Sequence, residues 1–573
     1  MTSDALNKAD KHVTQVPLRD PNTVMRLDRM GSFFPTRLSF LRSLLRDLAD
    51  EERKPRQAAT QWDEDGFGHA VFEADLHGRT YSLIGYTAPL SDDQRTDRVI
   101  AEAWDACFAL FDGVPTPDDI ARIRDNALVQ EAGEYDDDVL VLSRANRSVR
   151  LFDHVVDALA QGRQPDAERL ASTGYLMRTT AVYGNGKFGI SDRKVYADRP
   201  KLSHPFRLEM LTVYLIREFT LALTDHVARA KGGATAVALA RSLREQLGIG
   251  NSTGLGMAPF LVGHPELINN WMVARETALA RVRSVPEASA EIREAFQHLC
   301  AQTQRHLAQW SVDDVAEQAR IEALRDEWDA FQDFVPVHLA STNPWDRLVD
   351  ESALYSLDLQ ELLIALVLEP HGELIDDLCE SMEAAENAVL DPTMTVGELK
   401  ELLATRYSWA LEIDIAAENA NAMAWYVSQE KLEPRLGDAE VVSSDSQKMP
   451  HDLPHQIQTL SNALDTAPDE QSLAEFLAIH GEHRHVVLRA QTVARHPYGE
   501  VQDNLIDADM RPIDLLRCKL SFFGASRFDP RSDRWTRITL YQGAPTADDL
   551  SHANADSCFL PAFDVQNTGT DFR

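Results

Sequence analysis

One segment whose residues could do chemistry runs from Gly174 to Arg193 and is rich in glycine and aromatic residues. Glycine permits positive φ angles and a close approach of the backbone to a ligand, and Asn185 tolerates the same conformations. Lys187 and Arg178 would add positive charge, and successive N–H groups can form an anion-binding concavity. The glycine spacing matches neither a Walker loop nor a dinucleotide-binding fingerprint. The segment predicts a ligand-contacting loop or, alternatively, a structural hairpin in which Tyr183 is a packing anchor.

A second segment, Gly248 to Phe260, contains four glycines and three adjacent small polar residues between two apparently helical stretches. The N–H groups at the start of the following helix would form an anion site. Asn251, Ser252 and Thr253 could hydrogen-bond a carboxylate, a phosphate or a carbonyl group. These three side chains could equally be helix caps, which is their commonest role.

A third segment, His480 to His496, concentrates histidine and arginine in a chain that is otherwise acidic. Transition metals and haem both accept imidazole ligands. The chain has no His-Glu-x-x-His motif, and no spacing of two histidines and one carboxylate stands out. The alternatives are therefore surface or structural histidines and a metal or haem site. The candidate metal ligands are His480, His483, His485 and His496.

His204 is the candidate proton-transfer residue that follows the first segment most closely in sequence. Histidine can donate or accept a proton near neutral pH. His204 also precedes a proline, and a residue in that position is typical of a helix entry. The sequence leaves both roles open.

Arg217 and Glu218 interrupt the apolar run from Leu208 to Leu223. A charge inside an apolar run is costly unless it is paired or has a function. We therefore expect a structural ion pair with another residue, or a role in a site.

The favoured functional hypothesis is an enzyme that acts on a small anionic metabolite, a carboxylate or a phosphate. Two long Gly-rich loops in a regular helical protein motivate it, because such loops are usually functional. The ligand would lie in a pocket between helices lined by these loops. The candidate catalytic residues are His204 and Tyr183, one of which would move a proton. The predicted substrate-binding residues are Arg178, Asn185, Gly186, Lys187, Asn251, Ser252 and Thr253.

Two other functional classes stay open. One is a haem- or metal-dependent oxidoreductase that uses a histidine from residues 480–496. The other is a non-catalytic helical scaffold, which would expose a large apolar patch to a partner protein. The sequence favours no cofactor, determines no reaction class and leaves a homo-oligomer open.

Charge and composition exclude several familiar functions. The 573 residues include 57 Lys and Arg against 91 Asp and Glu, a formal net charge of −34. Such a field repels nucleic-acid phosphates and anionic membranes, so we predict neither as a partner. The longest apolar run, Leu362 to Leu368, is far shorter than the ~20 residues that span a bilayer.

The cysteines and the first residues of the chain indicate the cellular compartment. The five cysteines are scattered, and no two have the spacing of a metal finger or a redox motif. This is typical of a reducing compartment. Residues 1–12 contain no apolar core of a signal peptide, so we predict a cytoplasmic protein.

Hydrophobic periodicity predicts the elements that must position these residues. The fold class expected from it is mainly α, a multi-helix globular protein with minor β structure. Alternation around His77-Gly78 predicts a hairpin near residues 67–86, and turn residues predict extended segments near 518–545. We expect a helix from Val99 to Phe111 and a helix buried on most sides at Leu208 to Leu223.

Composition shifts divide the chain into five predicted regions. They are an N-terminal tail and helix (1–57), a small α+β region (58–165), a main helical domain (166–436), a linker (437–456), and a C-terminal helical and extended region (457–573).

Overall fold

The computed structural model describes most of the chain with gaps between the described ranges. These ranges are 16–91, 94, 103–127, 137–148, 151–184, 198–199, 202, 204, 206–254, 264–380, 388–414, 423–427, 434–437, 453–502, 505–506, 513–514, 517, 519–532, 535–557 and 559–560.

The strands of the described residues form two sheets. They are β1 Arg56–Trp62, β2 Gly68–Leu76, β3 Arg79–Thr87, β4 Ala106–Asp112, β5 Val139–Arg147, β6 Tyr175–Gly184, β7 Gly248–Gly254, β8 Met423–Val427, β9 Pro434–Gly437, β10 Leu505–Ile506, β11 Ala525–Ser532 and β12 Trp535–Leu540. The larger sheet has nine strands in the order β1-β2-β3-β4-β5-β6-β7-β12-β11, and the smaller has the order β10-β8-β9.

Helices predominate among the described residues of the second half of the chain. They are α1 Pro21–Val24, α2 Phe40–Asp50, α3 Pro117–Ala127, α4 Phe152–Ala160, α5 Ala167–Ala171, α6 Arg207–Gly232, α7 Arg241–Glu245, α8 Pro265–Arg283, α9 Ala290–Gln309, α10 Val315–Phe331, α11 Val335–Leu339, α12 Pro344–Ser352, α13 Leu357–Leu368, α14 Gly372–Ile375, α15 Asp377–Glu380, α16 Val396–Arg406, α17 Ser408–Leu411, α18 Leu453–Leu464, α19 Leu473–Ile479 and α20 Arg484–Arg495. Short 3-10 turns lie at Gly233–Thr235, Glu369–His371 and Gly481–His483, and a π-helical turn lies at Lys519–Phe523.

The nine-stranded sheet contradicts the predicted mainly α class, because the fold is mixed α and β. The predicted helix from Val99 to Phe111 is also wrong, because its second half lies in a strand of this sheet. Residues 106–112 form β4, in which all positions but the last are buried, while residues 99–102 lie outside the described ranges. A strand covered on both faces is continuously apolar, and so is a short stretch of buried helix. Periodicity alone therefore could not separate the two.

The predicted hairpin is confirmed as β2 and β3, which pair antiparallel from Gly68↔Thr87 to Leu76↔Arg79. The turn between them is His77-Gly78, with φ angles of 50° and 77°. Positive φ at both turn residues gives the backbone twist that a two-residue hairpin requires. The extended segments predicted near 518–545 are also confirmed, as the antiparallel pair β11 and β12.

Helix α6 crosses one face of the larger sheet and contacts both β2 and β7. Near its start, the main-chain oxygen of Met210 accepts a hydrogen bond from Tyr541, which follows β12, at 2.8 Å. Further along, Phe219 makes edge contacts with Phe108 of β4 and Phe72 of β2. The helix buries most of its side chains, which confirms the prediction for Leu208 to Leu223.

Helix α3 packs on the opposite face of the sheet. Ile123 of this helix belongs to a separate apolar cluster with alternate residues of β2 to β5, among them Ile84 and Ala109. The Tyr86 hydroxyl donates to the main-chain oxygen of Ile120 at 2.7 Å. The central strands are thus buried on both faces, as the continuous apolar sequence of β4 indicates.

Besides this cluster, the described chain has two other apolar cores. The main core includes residues from Val24 to Leu560, so distant parts of the sequence share it. A smaller helical core is formed by α16 to α20, with buried members from Val396 to Val493. Most of the predicted linker, residues 438–452, lies outside the described ranges.

Helix length alone could suggest a membrane span. Helix α6 has 26 residues, more than the ~20 needed to cross a bilayer. It nevertheless contains charged residues along its length, including Arg217 and Glu218. Within the described ranges, no helix combines the length and apolar character needed to cross a membrane.

Candidate functional site

The two Gly-rich segments meet as neighbouring strands of the larger sheet. Strands β6 and β7 pair in parallel, with Tyr175 opposite Gly248, Arg178 opposite Gly250 and Thr179 opposite Asn251. Among the described strands this is the only parallel pair. Because the strands are parallel, their carboxyl ends lie at the same edge of the sheet.

The glycines of β7 allow close packing in place of an open loop. A Cβ atom on Gly250 would lie 2.7 Å from the Tyr175 ring, and one on Gly248 would lie 2.2 Å from the main-chain oxygen of Leu540. Both separations are shorter than van der Waals contact. The glycine content that predicted a loop thus reflects tight contacts between neighbouring strands.

Asn251, Ser252 and Thr253 lie within β7, which pairs on both sides. Asn251 opposes Ile538 of β12, and the next two residues oppose Arg537 and Thr536. The alternative role of these three residues as helix caps is therefore not found.

A buried polar pair joins the two parallel strands. The Asn251 side-chain amide donates to the Thr179 hydroxyl at 3.4 Å. Asn251 is 9% exposed and Thr179 is fully buried. Within the described part of the chain, the Asn251 side-chain oxygen has no hydrogen-bond partner. A hydroxyl can donate or accept, so either amide orientation satisfies the bond to Thr179 and leaves an acceptor or a donor free for a ligand.

Arg178 lies on the other face of the sheet from this pair. It is buried, at 5% exposed, and it precedes Thr179 in the same strand. Consecutive strand residues point to opposite faces. The strand therefore separates Arg178 from Thr179 and Asn251, although the sequence hypothesis put Arg178 and Asn251 in one site.

Other predicted site residues lie near or beyond the carboxyl end of β6. The backbone of Tyr183 pairs with Leu142 of β5, one residue before β6 ends at Gly184. Asn185, Gly186 and Lys187 follow immediately and lie outside the described ranges, as do residues 255–263 after β7.

His204 lies at the entry of α6, as its His-Pro sequence predicts. Its main-chain oxygen accepts from the N–H of Arg207, the first residue of the helix, at 3.4 Å. Phe206 between them has a φ of 56°. The helix-entry role is therefore confirmed, and a role of His204 in proton transfer stays a prediction.

Arg217 has a structural role. Its guanidinium, 1% exposed, donates to the main-chain oxygens of Leu247 at 2.7 Å, Ala544 at 2.8 Å and Pro545 at 3.0 Å. These bonds tie α6 to the start of β7 and to the chain after β12. Burial raises the pKa of the adjacent Glu218, whose carboxylate is 3.8 Å from Arg217. The main partners of Arg217 are therefore carbonyl groups, where the sequence predicted an ion pair.

The four candidate metal ligands do not form one group. His480 and His483 lie together with Glu482 between α19 and α20, and burial lowers the pKa of His483. His485 instead contacts the Gln456 side-chain oxygen at 3.1 Å. His496 lies 3.4 Å from the side-chain amide of Asn269 on α8. The structure thus brings together His480, Glu482 and His483, a set that the sequence spacing alone did not single out.

Sequence reasoning missed a buried charged group at Glu317. Burial raises the pKa of this carboxyl to about 7, against the opposing effect of Arg320. Arg320 donates to Asp358 at 2.6 Å and to Asp514 at 2.9 Å, and the fully buried Arg517 also pairs with Asp358. Asp358 and Asp514 are distant from Arg320 in the chain, so no local motif could have revealed this group of buried charges.

Comparisons with protein-family models, with curated proteins and with solved structures found no match to this chain.

Proposed function

We propose that this protein is an enzyme that acts on a small anionic metabolite, bound at the sheet edge where β6 and β7 end. One observation carries the proposal: the two Gly-rich segments are adjacent parallel strands, with Thr179 opposite Asn251. The sequence hypothesis depended on the convergence of these segments.

The position agrees with a general rule of α/β proteins. In open parallel sheets, ligands bind in the crevice beyond the carboxyl ends of the strands. Here β6 pairs antiparallel with β5 on one side and in parallel with β7 on the other. The crevice would therefore lie beyond Gly184 and Gly254.

The residue types near that edge suit an anion. Lys187 follows β6 by three residues and would supply positive charge. Ser252 and Thr253 directly precede Gly254, the last residue of β7, and would donate hydrogen bonds. Asn251 carries a buried amide atom that no described residue satisfies, and an unsatisfied buried polar atom costs about 1–3 kcal/mol unless a ligand pairs it. His204 or Tyr183 would then transfer a proton.

The first test is a thermal-shift screen of the full chain against small carboxylates and phosphates. A ligand present at about 100 times its Kd should stabilise the folded state by about 2.7 kcal/mol. Asn251→Ala should abolish the shift, measured against the variant's own melting temperature. Asn22→Ala, at an exposed asparagine of α1, is the matched control and should retain it. If no anion raises the melting temperature of the unaltered protein, the proposal fails.

The second test removes the positive charge that Lys187 would supply to the ligand. Lys187→Ala should weaken binding of the anion found in the screen and leave the melting temperature of the free protein nearly unchanged. Lys231→Ala, at the end of α6, is the matched control and should bind normally. A large loss of stability with unchanged binding would show that Lys187 has a structural role.

A further inference from the structure

Three potential metal ligands lie in the short turn between α19 and α20. His480 is the C-cap residue that follows α19, and Glu482 and His483 lie within the 3-10 turn Gly481–His483. One nitrogen of each histidine and one carboxylate oxygen all lie within 4.8 Å of one another.

The separations between these atoms suit a common cation. The Glu482 oxygen lies 3.6 Å from His480 Nδ1 and 3.8 Å from His483 Nε2. Both distances are longer than a hydrogen bond. Bonds of about 2.0–2.1 Å at tetrahedral angles would place neighbouring ligand atoms about 3.4 Å apart. The two imidazole nitrogens lie within 4.8 Å of each other, so a small approach of the two rings and a rotation of the exposed Glu482 side chain would reach this separation.

The turn itself holds the two imidazoles in place. The main-chain N–H of His480 donates to the main-chain oxygen of Phe476 at 2.9 Å. The main-chain N–H of His483 donates to the main-chain oxygen of His480 at 3.2 Å. The His480 ring stacks on the Phe476 ring with centroids 4.7 Å apart. Phe476 belongs to the small helical core and His483 is buried. Two of the three ligands are therefore positioned before any ion binds, which lowers the entropic cost of binding.

We propose that His480, Glu482 and His483 form a binding site for one divalent transition-metal ion of the zinc type. Two imidazole nitrogens and one carboxylate oxygen suit such an ion, whereas Ca²⁺ and Mg²⁺ prefer oxygen ligands alone. Three protein ligands leave a fourth tetrahedral position for water. The site is separate from the ligand proposed at β6 and β7, and each proposal can fail without the other.

The neighbouring His485 provides the control for the metal-binding experiment. His485 lies two residues after His483, but its ring contacts Gln456. Removing His485 takes away one surface imidazole and leaves the three proposed ligands intact.

The experiment is a titration of the untagged full chain with Co²⁺ and Zn²⁺ after treatment with a chelator. Co²⁺ should bind one ion per chain with the visible d–d absorption of a four-coordinate site, and Zn²⁺ should displace it. Loss of an outer-shell partner commonly costs about 10- to 100-fold in metal affinity, so the double variant His480→Ala/His483→Ala should lose more than about 100-fold. His485→Ala should bind like the unaltered protein.

Glu482→Gln keeps the proposal testable if the double variant does not fold. Its side chain is exposed, so the fold should survive, as circular dichroism would check. Its affinity for Co²⁺ should fall by at least about tenfold. The proposal is overturned if the unaltered protein binds no stoichiometric Co²⁺, if the double variant binds normally, or if Glu482→Gln leaves the affinity unchanged.

Discussion

Thr179 and Asn251 are partners in adjacent parallel strands, and their side chains meet at 3.4 Å although 72 positions separate them in sequence. Each is buried, and the amide of Asn251 depends on the Thr179 hydroxyl for its hydrogen bond within the described structure. The pair links the two segments on which the proposed function depends.

Removing this hydroxyl should destabilise the protein. Thr179→Val keeps the side-chain shape but leaves the buried amide of Asn251 without its partner, which should cost about 1–3 kcal/mol in the free energy of unfolding. Denaturant unfolding of Thr179→Val, Asn251→Leu and the double variant gives the coupling between the two positions. We expect the double variant to lose less than the sum of the single losses, by about 1 kcal/mol. Additive losses would mean that the hydrogen bond contributes nothing.

Glu317 should make stability depend on pH near neutrality. Its pKa rises from 4.5 to about 7 on folding because its carboxyl is buried. The folded state therefore favours the protonated form, and this contribution is fully present below about pH 4.5 and lost as the pH rises to about 7. The loss should reach up to about 3 kcal/mol, because one pKa unit corresponds to about 1.4 kcal/mol.

The variant Glu317→Gln isolates this effect, since it stays neutral at every pH. Its stability relative to the unaltered protein should grow between about pH 4.5 and pH 7 and remain constant above. Unfolding in denaturant across this range measures the difference. Glu322→Gln, at an exposed position of the same helix α10, should show no such trend. A difference for Glu317→Gln that does not change with pH would contradict the prediction.

Arg217 should be essential for stability rather than for ligand binding. Arg217→Met removes the donor that three buried main-chain oxygens share, so we expect a loss of more than about 3 kcal/mol. Arg217→Lys should recover only part of it, because an ammonium lacks the planar fork of the guanidinium. Arg229→Met, at an exposed position on α6, is the control and should change stability by less than about 0.5 kcal/mol. Comparable stabilities for the two methionine variants would exclude the structural role.

Some features of the molecule follow from the sequence by itself because their causes are local. The alternation of residues 67–86 around His77-Gly78 determines the hairpin, since only a turn with positive φ joins two strands so closely. The apolar run from Leu208 to Leu223 determines a deeply buried helix. The His-Pro sequence at His204 marks the entry of that helix.

The tertiary structure decided the fold class and the identity of the site. Residues 106–112 are apolar enough for a buried helix or a buried strand, and only the neighbours β3 and β5 make them a strand. The glycines of β7 suggest a flexible loop until the Tyr175 ring and the Leu540 oxygen are seen to fill the space beside them. Thr179 meets Asn251, and Arg320 meets Asp358 and Asp514, through contacts between residues far apart in the chain. Sequence periodicity records which side of an element is buried, but it does not record which distant element covers it.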